Sequence, residues 1–273
     1  MRTVGVPARQ AVLIVFALLA AFPIYFMIAN AFKSNTEYIN NAFAPPHHWT
    51  LSTMRQALSD GELFRWLGNS LLITATAVGV STLFAALAAY PIALMQWRPG
   101  RYILAVLVAL MVVPPIVLVI PLFQEAVSLH VLNTYRSVIV IYTGLLLPFS
   151  TFLLVTFYRT LPRTLLEAAR IDGAGTLRTF VELIVPLSRP ALMTVVIVQA
   201  LWVWNEVLIA LVFLQQSNLR TLMVGLTVYH SRYQLDVPLV MAGMLWATVP
   251  MVILYLAGQR FFIRGLTAGG VKG

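Results

Sequence analysis

Residues 137–158 read SVIVIYTGLLLPFSTFLLVTFY, a run without one charged side chain. At ~1.5 Å per helical residue it is long enough to cross a hydrocarbon core of ~30 Å. Shortly after it, residues 167–186 read EAARIDGAGTLRTFVELIVP, a polar stretch broken by two glycines. A wet island directly behind a lipid-soluble run points to a chain organised around a bilayer. Five more runs are long enough to span: Ala11–Phe32, Asn69–Met95, Tyr102–Phe123, Ala191–Leu214 and Leu239–Gln259. Among the six, only the run ending at Leu214 holds a charge, Glu206. The first run is too long for a signal-peptide core, and no small-residue cleavage site follows at Lys33-Ser34-Asn35.

The composition agrees. Of 273 residues 60% are hydrophobic and 10% charged, with a mean hydropathy of +0.87; soluble domains lie nearer ~45–50% apolar and ~25% charged. The expected fold is therefore an all-α membrane protein. It has six transmembrane helices in a single transmembrane domain, 1–273, with a two-helix loop at 159–190 between helices four and five. The net charge of +9 follows from topology rather than from a nucleic-acid partner. Twelve Lys and Arg fall on the side holding both termini, among them Arg98, Arg101, Arg159, Arg163, Arg170, Arg178 and Arg189; six fall on the other. The positive side faces the cytoplasm, so both termini and the loop 159–190 are expected there, in a multi-pass plasma membrane protein.

No cysteine is present, which excludes disulfides and thiolate metal sites. His47, His48, His130 and His230 lack metal-ligand spacing, so no metal is expected. No paired carboxylates and no nucleophile–histidine arrangement stand at usable spacing, so no catalytic residue is assigned. The second run carries small residues four apart, Ala75 and Gly79, then Ser81, Ala85, Ala89 and Ala93, a ridge that lets another helix approach closely. Prolines interrupt several runs: Pro23, Pro91, Pro114-Pro115, Pro121, Pro148 and Pro250. The cluster at 112–116 makes the third run the most irregular. Two readings fit it, a broken helix lining a pathway or a bent packing helix.

In the polar island Pro162 suits a first helical turn, and Thr164 and Glu167 have capping-box spacing. Leu161, Leu165, Ala168 and Ala169 share a face, and Gly173 is a natural left-handed stop. A second short helix starts near Thr176. Its apolar residues are Leu177, Phe180, Val181, Ile184 and Val185, with Arg178, Thr179 and Glu182 on the other side, and Pro186 ends it. Two roles fit this pattern equally: a helix offered to the cleft of a soluble partner, or an amphipathic connector lying flat on the membrane.

The island resembles the EAA motif of ATP-binding-cassette importer permeases: Glu-Ala-Ala, three residues, Gly, nine residues, Ile-x-Leu-Pro. Here Glu167-Ala168-Ala169, Gly173 and Leu183-Ile184-Val185-Pro186 match it in spacing. Within that family the chain is similar to the sugar importers of the maltose-transporter type, the MalG-like permeases. Glu167 to Ala174, Trp204-Asn205-Glu206, Thr221 to Leu226 (with Met223 where the family has Pro) and the tail Arg264 to Gly273 carry this likeness.

The resemblance implies a permease subunit for a sugar or oligosaccharide. It would be paired with a second homologous permease as a heterodimer, and joined by two ATP-binding subunits and an extracytoplasmic solute-binding protein in a prokaryotic inner membrane. The same machine moving a glycerophosphodiester or polyol is the alternative, and a self-contained secondary transporter a more distant one. Coupling to the ATPase would fall to Glu167, Ala168, Ala169, Arg170, Asp172 and Gly173. The tail, through Thr267, Gly269, Gly270 and Lys272, is a second candidate contact, in an extended form that glycines permit. No phosphate-binding Gly-x-x-x-x-Gly-Lys-Ser/Thr occurs, so this chain is expected to bind no cofactor and to be no enzyme; ATP and magnesium belong to the partner. Trp202, Trp204, Asn205 and Glu206 are the candidate substrate pathway, because flat rings and hydrogen-bonding groups suit sugars. They cannot all point one way, since residues two apart on a helix diverge by ~200°. Glu206 or Asn205 serves equally well, on sequence alone, as a hydrogen-bonding link to another span.

Overall fold

The computed structural model describes residues 6–59, 61–95, 97–232 and 236–270, without the side chains of 6–8, 229–232 and 260–270. These residues form helices and no strand. In chain order they are α1 (Val6–Ala31), α2 (Asn35–Asn40), α3 (Ser52–Ser59), α4 (Glu62–Leu94), α5 (Gly100–Leu110), α6 (Pro115–Ser128), α7 (Tyr135–Tyr158) and α8 (Arg163–Ile171). There follow α9 (Thr176–Leu187), α10 (Arg189–Asn205), α11 (Leu208–Phe213), α12 (Leu222–Arg232) and α13 (Val237–Gly270). Four helices are each long and apolar enough to cross a membrane: Arg9–Ala31, Glu62–Leu94, Tyr135–Tyr158 and Val237–Gln259. Two bent pairs, α5 with α6 and α9 with α10, raise the number to six if each pair counts as one span.

The third and fifth apolar runs are therefore not single rods. Between α5 and α6 the axis turns by 98°. Pro114 is extended there, and Pro115 opens the next helix without needing the N–H it lacks. The fifth run ends its helix at Asn205 and resumes at Leu208, with Glu206 in extended backbone. The internal prolines Pro23, Pro91, Pro121, Pro148 and Pro250 stay within helices.

The Cα framework divides into two compact units, one of Met1–Leu67 and Leu222–Pro250, the other of Gly68–Thr221 and Met251–Gly273. In the first, α1 leaves its apolar side chains at 11–25 exposed and buries Ala29 and Ala31 at its end, and α3 buries Thr53 and Ala57 one turn apart. Lys33 is fully buried, yet its ammonium donates to the carbonyls of Asn41 and Ala42 at 2.9 and 3.1 Å. On α12, Gly225 meets the ring of Trp66 so closely that a Cβ would stand 2.1 Å from Cε3.

The second unit holds two apolar clusters. One gathers Ile73 of α4, Val138 and Tyr142 of α7, Val203 of α10, and Ile209 and Phe213 of α11. The other gathers Ala85 and Ala89 of α4, Leu154 and Tyr158 of α7, Phe180 and Ile184 of α9, and Val195 of α10. Ser81, Ala85 and Ala89 have no exposed surface, so this part of the small-residue ridge receives neighbours; Ala75 and Gly79, on the same helix, are exposed.

Candidate functional site

In the polar island α8 begins at Arg163, after Pro162 in extended conformation. It starts one residue before Thr164, so the capping-box spacing of Thr164 and Glu167 is not used, and no side chain caps the helix. The helix stops where Gly173 takes φ +74°, a conformation in which a Cβ would meet the carbonyl oxygen. No residue of α8 is buried. Glu167, Ala168, Arg170, Asp172 and Gly173 are exposed and Ala169 is half-buried. Ile171, an apolar residue 86% exposed, stands at the end of the same helix. Leu166, half-buried, packs against the apolar cluster that holds Phe180 and Ile184. A helix of nine residues is below the length that is stable by itself in water, so this contact helps to hold it while most of its surface stays exposed.

The second short helix behaves differently. Thr179–Ile184 forms a π-helical turn, which widens the spacing of residues sharing a face. As a result Phe180 and Ile184 enter the apolar cluster and Thr179 is buried as well, while Leu177 and Val181 remain exposed. The simple α-helical stripe of Leu177, Phe180, Val181, Ile184 and Val185, with Thr179 opposite, is therefore corrected by the wider turn. Tyr90 packs on Phe180 with ring centroids 5.3 Å apart. The Arg178–Glu182 ion pair, at 2.8 Å, is exposed on both sides and is worth little.

Sixty per cent of the chain's residues are apolar, so a pocket with polar groups is informative. One cavity of about 540 Å³ is lined by Ile197, Val198, Leu201, Trp202 and Asn205 of α10, by Glu206 and by Tyr255 of α13. The α10 positions step by one, three, one and three, which traces a single helical face. Trp204 is buried, 3% exposed; of the four pathway candidates, Trp202, Asn205 and Glu206 border the cavity and Trp204 does not.

Glu206 is both a link and a lining residue. Its carboxylate accepts from the hydroxyl of Tyr142 on α7 at 2.5 Å, from the N–H of Ile209 at 2.9 and 3.1 Å, and from the N–H of Ala210 at 3.2 Å. An intramembrane carboxylate costs ~2.5–3.5 kcal/mol on insertion scales; hydrogen bonds to a charged group return ~1.5–3 kcal/mol each. The break after Asn205 supplies the two backbone donors, because the first N–H groups of α11 have no helical partner. Asn205 donates to Leu201 O, one turn back on its own helix.

The far end of α11 is also held by side chains that the sequence does not single out. Asn133 takes φ +59°, donates its N–H to Phe213 O and accepts at Oδ1 from Gln215 and Gln216. Asn69 donates to Asn218 O and Arg220 O and accepts from Tyr135. The available signal was the left-handed tolerance of asparagine. For Tyr142 there was none.

The tail differs from its expected extended form: α13 continues through Thr267, Gly269 and Gly270 as helix. Lys272 lies outside the described residues.

Residues 81–266 match the family described as binding-protein-dependent transport system inner membrane component. The chain is 32% identical to the melibiose/raffinose/stachyose import permease protein MelC of Bacillus subtilis, over 97% of this chain and 99% of that one. It is 33% identical to the arabinooligosaccharides transport system permease protein AraQ of Halalkalibacterium halodurans, over 94% and 93%. Identity to the trehalose/maltose transport system permease protein MalG of Thermococcus litoralis is 32%, over 95% and 94%. The fold is similar to a crystal structure of a bacterial ABC transporter involved in the import of the acidic polysaccharide alginate. There the TM-score is 0.81 at 22% identity, covering 93% of this chain and 95% of that one.

Proposed function

The chain belongs to the family of binding-protein-dependent transport system inner membrane components, and we propose that it forms half of the translocation pathway of an ATP-binding-cassette importer for a sugar or oligosaccharide. The observation that carries the substrate class is the cavity beside α10. Trp202 and Tyr255 offer flat apolar faces, and Asn205 and Glu206 offer hydrogen-bonding groups at one end. Sugar rings present C–H faces and a rim of hydroxyls, so a pocket that is largely apolar with a few polar groups complements them. The similarity to permeases named for melibiose, arabino-oligosaccharides and maltose supports the same class.

Membership of the family implies an ATPase and a solute-binding protein as partners. The finer assembly is our reading: a second, non-identical permease, two ATP-binding subunits that hold ATP and magnesium, and six spans with both termini in the cytoplasm of a prokaryotic cell. In this reading α8 enters a cleft of the ATPase, with Ala168 and Ala169 allowing close approach and Glu167, Arg170 and Asp172 anchoring the rim. Gly173 sets the turn that hands the load to α9. The exposed surface of α8 beside the buried Phe180 and Ile184 supports this division of labour. The end of α13 at Thr267, Gly269 and Gly270, with Lys272, is a second ATPase contact.

The test is reconstitution. Proteoliposomes holding this chain, its permease partner and the ATPase are expected to take up sugar and to hydrolyse ATP faster when the loaded binding protein is added. Glu167→Lys is expected to abolish that stimulation while leaving insertion intact. Accumulation of sugar by this chain alone would overturn the proposal.

A further inference from the structure

Tyr142 touches two of the cavity residues without lining the cavity itself. It sits on α7 with no exposed surface. Its hydroxyl donates to Oε2 of Glu206, and its ring meets that of Trp202 at 87°, with centroids 5.9 Å apart. Such an edge-to-face contact favours one ring orientation over others. The two residues it holds are built on different backbone: Trp202 belongs to the body of α10, and Glu206 follows the end of that helix in extended conformation. Nothing in α10 alone locks their relative directions.

The hydrogen bonds on Glu206 are unequal. Oε2 accepts from Tyr142, Ile209 and Ala210, whereas Oε1 accepts from Ile209 alone. A carboxylate oxygen offers about two lone-pair sites, so Oε2 is saturated inside the protein and Oε1 keeps capacity. We propose that Tyr142 is a positioning residue for sugar passage: by occupying Oε2 and bracing the Trp202 ring, it turns Oε1 and the aromatic face of Trp202 towards the cavity, where a sugar hydroxyl and a sugar C–H face would meet them. This rests on reading the cavity as part of the sugar pathway. The sugar's hydroxyl donates to Oε1 and its ring lies against Trp202; Tyr142 itself never touches it.

The experiment measures uptake in cells carrying the whole importer, normalised to inserted permease, with radiolabelled melibiose, raffinose, maltose and trehalose as probes. The variants are Tyr142→Phe, Glu206→Gln, the double variant, Glu206→Asp and Trp202→Ala. Tyr142→Phe removes one oxygen and keeps the ring. It is expected to lower uptake about tenfold, the effect of losing one charge-assisted hydrogen bond. In the Glu206→Gln background it is expected to change uptake by less than about twofold, because the two act through one contact. Equal losses in both backgrounds would mean that Tyr142 only packs the core, and would overturn the proposal. Normal uptake in Tyr142→Phe, with Glu206→Gln impaired, would overturn it while leaving the cavity reading intact. Normal uptake in both Glu206→Gln and Trp202→Ala would overturn the cavity reading and the proposal with it. Glu206→Asp keeps the charge but shortens the reach to Tyr142. It is expected to resemble Tyr142→Phe, and wild-type uptake in this variant would also overturn the proposal, whether or not Tyr142→Phe inserts well.

Discussion

Two glycines show how single residues constrain this chain. Gly173 sits at φ +74°, where an L side chain costs roughly 1–2 kcal/mol. Nothing stands within 4 Å of a Cβ placed there, so the cost of Gly173→Ala is conformational, not steric. We expect Gly173→Ala to leave detergent melting of the subunit nearly unchanged, because no residue of α8 is fully buried, but to weaken stimulated ATP hydrolysis in the assembled importer. Gly225 is the converse: its backbone conformation is ordinary, and Trp66 occupies the space a methyl would need. Gly225→Ala should lower stability by about 1–3 kcal/mol through overpacking. The measurement is thermal unfolding of the purified subunit, and adding Trp66→Leu should recover part of the loss. The glycine was visible in the Thr221–Leu226 stretch; the ring that demands it, from residue 66, was not, because the contact spans most of the chain.

Among the elements, α8 and α9 divide one task in the proposed coupling loop. The pattern of residues 161–185 located both helices and the turn between them, but not their different burial. Phe180 is 6% exposed and Ile171 is 86% exposed. Phe180→Ala removes the anchor of α9 and should cost about 3–5 kcal/mol. It should also make the loop around Gly173 more susceptible to limited proteolysis. Ile171→Ser should change stability by no more than about 0.5 kcal/mol, yet reduce capture of the ATPase subunit in pull-down. Equal effects of the two substitutions on stability would contradict the division. The break after Asn205 is likewise an element-scale feature. The run is apolar on both sides of Asn205-Glu206, and that polar pair does not by itself show a break; the N–H groups of Ile209 and Ala210, which have no helical partner, are met by Glu206, which makes the interruption tolerable in lipid.

For the whole molecule, the absence of cysteine permits a direct test of orientation. In intact cells a Gln216→Cys variant should react with a membrane-impermeant maleimide, and an Arg163→Cys variant should react only after permeabilisation; the reverse pattern would invert the topology. Composition and charge placement alone determined that this is a helical membrane protein with a polar two-helix loop, because lipid demands long apolar runs with internally paired backbones and water-facing segments need charge. The motif spacing in that loop was equally legible, since it is local along the chain. Only the tertiary structure decided that the third run breaks at its proline cluster rather than bends, that the fifth run breaks at all, which side of α10 borders a cavity, that Trp204 does not border it, and that Tyr142 joins Glu206 to α7. Those outcomes depend on donors and rings brought together from residues 64 positions apart, and no periodicity within one run encodes them.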